Sequence, residues 1–279
     1  KIFLTPQALA FNSLFKYLLF FNRKNYKLIV MQHGWGYAMS ASNFGDRYEI
    51  LFSDKFLSYG WSSNNKKVIP FYLNQDSFDY NDKNHDLLIV SSVAPKVLHR
   101  FQQFPIGFSI ISNFINNNII FLNNLTIKNK IYFRDYPSSN SFGWKFGDII
   151  KKNFKNIQID KQKSFLQSIK SKKIIIFDHF GTSFLETLQL NIPCIVYIDK
   201  TSYLYNDQLY KHIKIMLNSK IFFHDPILAA EHINSCFDNI NSWWNSHDIK
   251  KVKSNFIKMY CNSTNIFDSK LINLLKNYN

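Results

Sequence analysis

Three short stretches carry residue types and spacings that could do chemistry. The first is FDHFGTSFLETLQLNIP, residues 177–193. An apolar run ends at Asp178, a tight turn follows through His179, Phe180, Gly181, Thr182 and Ser183, and a helical period then begins. Backbone N–H groups at a helix start, a glycine that admits close approach and two hydroxyls together suit a phosphate. Thr182 or Ser183 is the expected N-cap, with Glu186 spaced as a capping-box partner of Ser183. A well-capped strand-to-helix turn explains the same residues without any ligand. The second stretch is KIYFRDYPSSNSFGW, residues 130–144, where Arg134 closes a strand-like run. Arginine suits bidentate contact with phosphate; a pairing with Asp135 or Asp148 is the structural alternative. The third is QHGWG, residues 32–36. His33 follows an apolar run and precedes a glycine turn, a place for a general base or a donor to a diphosphate. Downstream, Glu49 is a second base candidate, or equally a solvated strand residue. Trp35, Tyr37 and Trp61 read as core packing more than as a stacking platform.

These residues need elements that bring them to one edge. Residues 27–31, 87–91, 130–134, 173–178 and 194–198 read as buried strands, with shorter runs at 157–159 and 221–223. Helical periods separate them at 108–116, 146–154, 163–171, 183–190, 208–217 and 226–237. Strands alternating with helices predict parallel βαβ units and a doubly wound α/β sheet. Ligands of such sheets bind beyond the carboxyl ends of the strands, near the point where strand order reverses. Arg134 and the Gly181 turn are expected there, on neighbouring strands. Ahead of this region, residues 11–21 read as a helix and 32–45 as a loop that needs positive φ or close backbone approach. Residues 50–52, 56–59 and 67–70 read as short strands. The Asn-rich patches around Asn116 and Asn123 read as loops. Residues 72–84 (YLNQDSFDYNDKN) are polar and aperiodic and form the expected linker. The domains are then 1–84, a partial N-terminal Rossmann-like domain, and 85–279, a second one with a helical tail.

Composition narrows the function. A chain of 279 residues that is 46% hydrophobic is globular rather than disordered. Lys and Arg number 34 against 19 Asp and Glu, a net charge of +15. That balance suits nucleic acid, a membrane surface or a phosphorylated small molecule. Codon bias toward Lys, Asn, Ile and Phe explains it equally well. The densest basic cluster, Lys250, Lys251 and Lys253, comes with no RNA-binding signature, so no nucleic-acid partner is expected. Three scattered cysteines, Cys194, Cys236 and Cys261, fit neither a disulfide framework nor a zinc site and point to a reducing compartment. No apolar run reaches the ~18 residues of a membrane span. The chain starts at Lys1 without a signal-peptide pattern, so it is expected to begin inside a larger protein or to have been trimmed. P-loop, dinucleotide, zinc-protease and serine-hydrolase motifs are missing.

Taken together, the segment QHGWGYAMSASNFGDRYEILFSDKFLSYGW and the KKVIP that follows resemble the bacterial transferases of surface-polysaccharide (O-antigen type) biosynthesis. Gln32, His33, Gly34, Tyr37, Glu49, Asp54, Phe56, Gly60 and Trp61 carry the match. Arg134, Tyr136, Pro137, Gly143 and Trp144 match a later element, and Gly181, Thr182, Ser183, Glu186 and Leu188 a third. The sequence departs at Trp35, Ala38 and Tyr59, where the pattern has Gly, Gly and Trp. The resemblance implies a GT-B fold, two Rossmann-like domains with parallel sheets, the N-terminal one incomplete. It implies a glycosyltransferase that moves a sugar from a nucleotide-activated donor to a glycan or lipid-linked acceptor. Donor phosphate and nucleotide are then held by Arg134, His179, Gly181, Thr182, Ser183 and Glu186, with His33 and Glu49 as the catalytic residues. Leaving-group stabilisation is electrostatic, and neither a metal nor a cofactor is expected, in keeping with the lack of an Asp-x-Asp pair. The setting is cytoplasmic, with peripheral association at the inner membrane face. The alternatives are a CDP-glycerol-type glycerophosphotransferase, a non-catalytic basic polyanion-binding module and an inactive family member.

Overall fold

The computed structural model describes residues 1–41, 44–73, 80, 86–92, 108–137, 143–264 and 266–277. The chain forms two compact units, Lys1–Asp76 together with Ser254–Asn279, and Ser77–Lys253.

The first unit is built on four parallel strands in the order β1 (Ile2–Thr5), β2 (Lys27–Met31), β3 (Lys55–Ser58) and β4 (Val68–Pro70). Helices α1 (Ala8–Phe11) and α2 (Ser13–Asn22) connect β1 to β2, and α3 (Phe44–Phe52) connects β2 to β3. Alternation along β2 divides the core between the two sheet faces. Leu28 and Val30 pack with Leu9, Leu19, Tyr37, Phe56 and Trp61, while Ile29 packs with Leu57, Phe71 and Phe267. The Asn12 side chain caps α2 by accepting from the Phe15 N–H. Lys67 Nζ donates to the carbonyls of Ile50 (3.3 Å) and Leu51 (2.7 Å), close to the negative end of the α3 dipole. Residues 50–52, expected as a strand, are the last turn of α3. Three apolar residues are too few to separate a period of 2 from one of 3.6. The loop before α3 has the expected positive φ, at Gly36 (97°) and Ala38 (53°).

The second unit holds a six-stranded parallel sheet in the order β10-β9-β8-β5-β6-β7. Its strands are β5 (Asp86–Val90), β6 (Ile131–Arg134), β7 (Gln158–Ile159), β8 (Lys172–Phe177), β9 (Cys194–Tyr197) and β10 (Phe222–Phe223). Chain order reverses between β5 and β8, the switch point of a doubly wound sheet. The interleaved helices are α4 (Phe108–Asn124), α5 (Phe146–Asn153), α6 (Phe165–Ile169), α7 (Thr182–Gln189), α8 (Asp207–Asn218) and α9 (Pro226–Cys236), followed by α10 (Ile240–Trp244). The Asn-rich patches expected as loops are part of α4. Asn118 is buried there, and its bonds to the Phe114 carbonyl (2.9 Å) and Asp178 (2.7 Å) offset its poor helix propensity. Lys253 of the basic cluster is also buried. Its Nζ donates to Asn191 Oδ1 and the Trp244 carbonyl, both at 2.8 Å, and burial lowers its pKa to about 8.

The helical tail, assigned by sequence to the second domain, divides between the units. Helix α11 (His247–Tyr260) begins among residues of the second unit and ends among those of the first, where α12 (Phe267–Lys276) also belongs. Phe267, Leu271, Leu274 and Leu275 recur at helical spacing and cover the β2–β3 face that carries Ile29 and Leu57. Gly60 (φ 118°) lets the end of α11 come close to the turn after β3, since a Cβ there would stand 2.5 Å from the Lys258 carbonyl oxygen. The linker and the boundary expected after residue 84 lie almost wholly outside the described residues. No described helix is long and apolar enough to cross a membrane.

Candidate functional site

In the second unit, the residues predicted to bind phosphate divide into two groups. The Gly181 turn follows β8 and therefore stands at the switch point. Gly181 is the N-cap of α7, with no side-chain cap bond, so Thr182 and Ser183 are the first two helical residues. The expected capping box of Ser183 with Glu186 does not form, because the helix starts two residues earlier than that box requires and Glu186 lies a full turn inside it. Thr182, Ser183 and Glu186 are half-buried. His179 packs across the turn, 12% exposed, with its Cδ2 and Nε2 both 2.8 Å from where a Gly181 Cβ would be. Its Nδ1 is 3.0 Å from Asp178 Oδ1.

Asp178 is the organising residue that the sequence reading left out. It is buried, and it accepts from Ser91 Oγ, Asn118 Nδ2 (2.7 Å), the Ser92 N–H (3.2 Å) and His179. Asn118 accepts in turn from the Tyr197 hydroxyl at 2.7 Å. The carboxylate therefore joins the ends of β5, β8 and β9 through α4, and it holds the His179 ring so that Nε2 faces the start of α7. The available signal was a lone acid ending the buried run KIIIF.

Arg134 lies elsewhere. It ends β6, and β5 separates β6 from β8, so the two turns are not on neighbouring strands. Its side chain is 11% exposed, and the guanidinium donates through Nη1 to Asp160 Oδ2 (2.6 Å), Ser168 Oγ (2.7 Å) and the Gln162 carbonyl (3.0 Å). These bonds lace β6 to the segment after β7. Asp135, one of the two partners considered from sequence, accepts instead from the Gly147 N–H at 2.8 Å.

The first unit brings its two catalytic candidates together. His33 follows β2, and Glu49 lies on the buried side of α3, 1% exposed. The Tyr37 hydroxyl bridges them, 2.7 Å from His33 Nδ1 and 2.7 Å from Glu49 Oε2. Burial lowers the His33 pKa against a raising hydrogen bond to the Pro6 backbone. Burial also raises the Glu49 carboxyl to about 7, opposed by the Tyr37 hydrogen bond. The Tyr37 phenol is raised by burial first and by Glu49 second. A single hydroxyl proton serves two neighbours, so the line has two proton orders. With Glu49 ionised, Tyr37 donates to it and accepts from the His33 Nδ1–H, leaving Nε2 without a proton. With Glu49 protonated, Tyr37 donates to His33 Nδ1 instead, and Nε2 carries the proton. The Glu49 carboxyl, whose Oε1 is 4.0 Å from His33 Nδ1, thus selects the His33 tautomer through the Tyr37 hydroxyl.

The remaining motif residues of this unit are structural. Gln32 is buried, accepting through Oε1 from the Tyr59 N–H (3.0 Å) and Trp61 Nε1 (2.8 Å) and donating to the Gly34 carbonyl (2.7 Å). It ties the end of β2 to the end of β3. Asp54 accepts from Arg23 (2.8 Å) and the Leu28 N–H (2.6 Å). Tyr37 and Trp61 pack in the core beside Phe56. Ala38 stands at φ 53° where the resembled pattern has glycine, so the backbone shape is kept at the cost of Cβ strain. Among the described residues, no group of three or more His, Cys, Asp or Glu is arranged to hold a metal ion.

Comparison with solved structures shows the same fold. A crystal structure of S. aureus TarM in complex with fondaparinux, α-GlcNAc-glycerol and UDP is 11% identical with a TM-score of 0.52, covering 91% of this chain and 51% of that one. Another TarM structure is 12% identical with a TM-score of 0.53, covering 98% and 54%. A Listeria monocytogenes protein described as a UDP-N-acetylglucosamine 2-epimerase is 10% identical with a TM-score of 0.50, covering 97% and 71%. The chain thus spans about half the length of the TarM chains it matches. No curated protein sequence matches. The fold is α/β with parallel sheets, as in GT-B glycosyltransferases. Residues 1–275 match the sequence model of the LIC12162 family transferases, and the chain belongs to that family.

Proposed function

We propose that this transferase is a glycosyltransferase whose second unit binds a nucleotide-activated sugar, the acceptor being a surface glycan or its lipid-linked precursor. The observation that carries the reading is the convergence of Asp178, His179 and Gly181 on the N-terminus of α7 at the switch point of the sheet. An α7 N-terminus offers N–H groups and a positive dipole end to a diphosphate. Asp178 holds the His179 ring through Nδ1, so that Nε2 faces the same point. Thr182 and Ser183 supply hydroxyls, and Glu186 would hold ribose hydroxyls. Stabilisation of the leaving nucleoside diphosphate in this way is electrostatic. Arg134 supports the same edge by holding the segment after β7. His33, set by Tyr37 and Glu49, is the acceptor-activating base, with Nε2 unprotonated when Glu49 is ionised. Three cysteines in the thiol form, Cys194, Cys236 and Cys261, suit a cytoplasmic setting.

Calorimetric titration of the purified chain with UDP, CDP, GDP and ADP tests the donor site. The expected result is selective binding of one nucleotide, weakened about tenfold or more by His179→Ala, the loss of one charge-assisted bond. Equal weak binding of all four, fading together as salt rises, would mean general charge attraction and would sink the proposal.

A further inference from the structure

The second unit carries a groove that the nucleotide site does not use. It follows the open edge of the six-stranded sheet and has a volume of about 1060 Å³, close to the upper end of small-molecule sites. Phe222 and Phe223 of the edge strand β10 form its floor. One wall is the face of α8 with Tyr210, Lys214 and Leu217, and the other is the face of α9 with Leu228, His232 and Ser235. Both rows have the spacing of a single helix face, so each lines the groove along its length. Tyr210 and Leu228 keep 48% and 54% of their surface exposed, which gives the walls apolar area for a ligand.

The two ends of the groove differ chemically. Helix α8 has 12 residues, so its ends stand roughly 18 Å apart. Before its start, Lys200 is exposed and makes no ion pair among the described residues. Beside it on the lining, the Tyr205 hydroxyl is buried with no hydrogen-bond partner among the described residues. A buried hydroxyl left unmatched costs free energy that an acceptor on a ligand would recover. Asp225, an acid of the same end, is engaged as the N-cap of α9, accepting from the Ile227 N–H at 2.7 Å. Glu231 lies farther along α9 and is exposed. At the far end, past α8, Lys220 is exposed, and the Ser235 hydroxyl already donates to the His232 carbonyl at 2.8 Å.

We propose that this groove binds a small amphipathic anion, with its charged head at Lys200 and the Tyr205 hydroxyl and its apolar body over Tyr210 and Leu228. A wholly apolar ligand would leave Tyr205 unmatched, and a wholly polar anion would gain nothing from the walls. Strand β9 separates the groove's floor from β8, which leads into the Gly181 turn, and the inference stands independently of the donor reading.

Fluorescence titration of the full chain with anilinonaphthalene sulfonate tests it, beside phenylnaphthylamine, the same rings without the sulfonate. The sulfonate should bind saturably, and the neutral amine about tenfold more weakly. Tyr205→Phe and Lys200→Gln should each weaken the sulfonate about fivefold or more and leave the amine unchanged. Leu228→Ser should weaken both probes. Lys220→Gln removes the same charge at the far end and should leave both unchanged. Tyr205→Phe removes only an unbonded oxygen and the other three positions are exposed, so every variant should keep the thermal midpoint of the wild type. Absence of sulfonate binding, equal affinity for the two probes, or binding that Tyr205→Phe and Leu228→Ser leave intact would overturn the proposal. Equal losses in Lys200→Gln and Lys220→Gln would overturn it as general charge attraction. Displacement of the sulfonate by UDP, CDP, GDP or ADP would do so too, since the probe would then occupy the nucleotide site.

Discussion

Glu49 has one oxygen held by Tyr37 and another, Oε1, buried with no hydrogen-bond partner among the described residues, 4.0 Å from His33 Nδ1. Its pKa is raised to about 7 from the ordinary 4.5, chiefly by burial, so the folded state binds this proton more tightly than the unfolded state does. Glu49 therefore adds stability that is fully present below about pH 4.5 and is lost as pH rises to about 7, on the order of 2–3 kcal/mol. Glu49→Gln should flatten this part of the stability–pH curve, read by denaturant unfolding of wild type and variant across that range. An equal slope in both would remove Glu49 as its source. Arg134 gives a second test at this scale. Arg134→Ala strands the buried Asp160 carboxylate and should cost about 3 kcal/mol, part of it recovered by adding Asp160→Asn. A bracing role predicts unchanged nucleotide affinity in that double variant, whereas a phosphate clamp predicts its loss. His33 was legible in the sequence because a polar residue between a strand and a glycine turn is conspicuous. Its link to Glu49 was not, since it spans sixteen positions and passes through a tyrosine whose side chain reads as core. Arg134 was found for its type, but its partner Asp160 lies on a different strand end, which local sequence does not reveal.

At the scale of elements, the βαβ alternation was readable from apolar runs and helical periods over most of the second unit. Two features were obscured by side-chain chemistry. Asparagines that suggest loops are accommodated in α4 because Asn118 bonds both its own helix and Asp178. The start of α7 shifted because an extended glycine (φ −144°) took the capping position that a hydroxyl residue was expected to fill. Gly60 is the element-level position most open to test. A methyl group there meets the Lys258 carbonyl at 2.5 Å and Asn262 Cβ at 2.9 Å, on a backbone of positive φ. Gly60→Ala should destabilise the first unit by about 2–4 kcal/mol through overpacking and strain. A fall in the thermal midpoint of several degrees is the expected reading, and an unchanged midpoint would show that the tail yields at little cost.

On the scale of the whole chain, the parallel sheets follow from strand–helix order, but the return of the tail does not. Phe267, Leu271 and Leu274 advertise an apolar helix face without naming the sheet it covers. The first unit depends on that return, because Ile29, Leu57 and Phe71 are covered by Phe267. Removing residues 254–279 should leave β8 amides such as Ile175 protected from hydrogen exchange and expose β2 amides such as Ile29. Equal protection at both in the shortened chain would show that the first unit closes without the tail. The same return sets a timetable during synthesis. Residues 77–253 form one continuous run and can close as soon as they emerge. The strands made before them must wait, with one sheet face uncovered, until residues 254–277 arrive. Closing that long loop is entropically slow, so the first unit, begun before the second, is completed after it. A chaperone that shields apolar strands would find its longest task at the first unit rather than at the second.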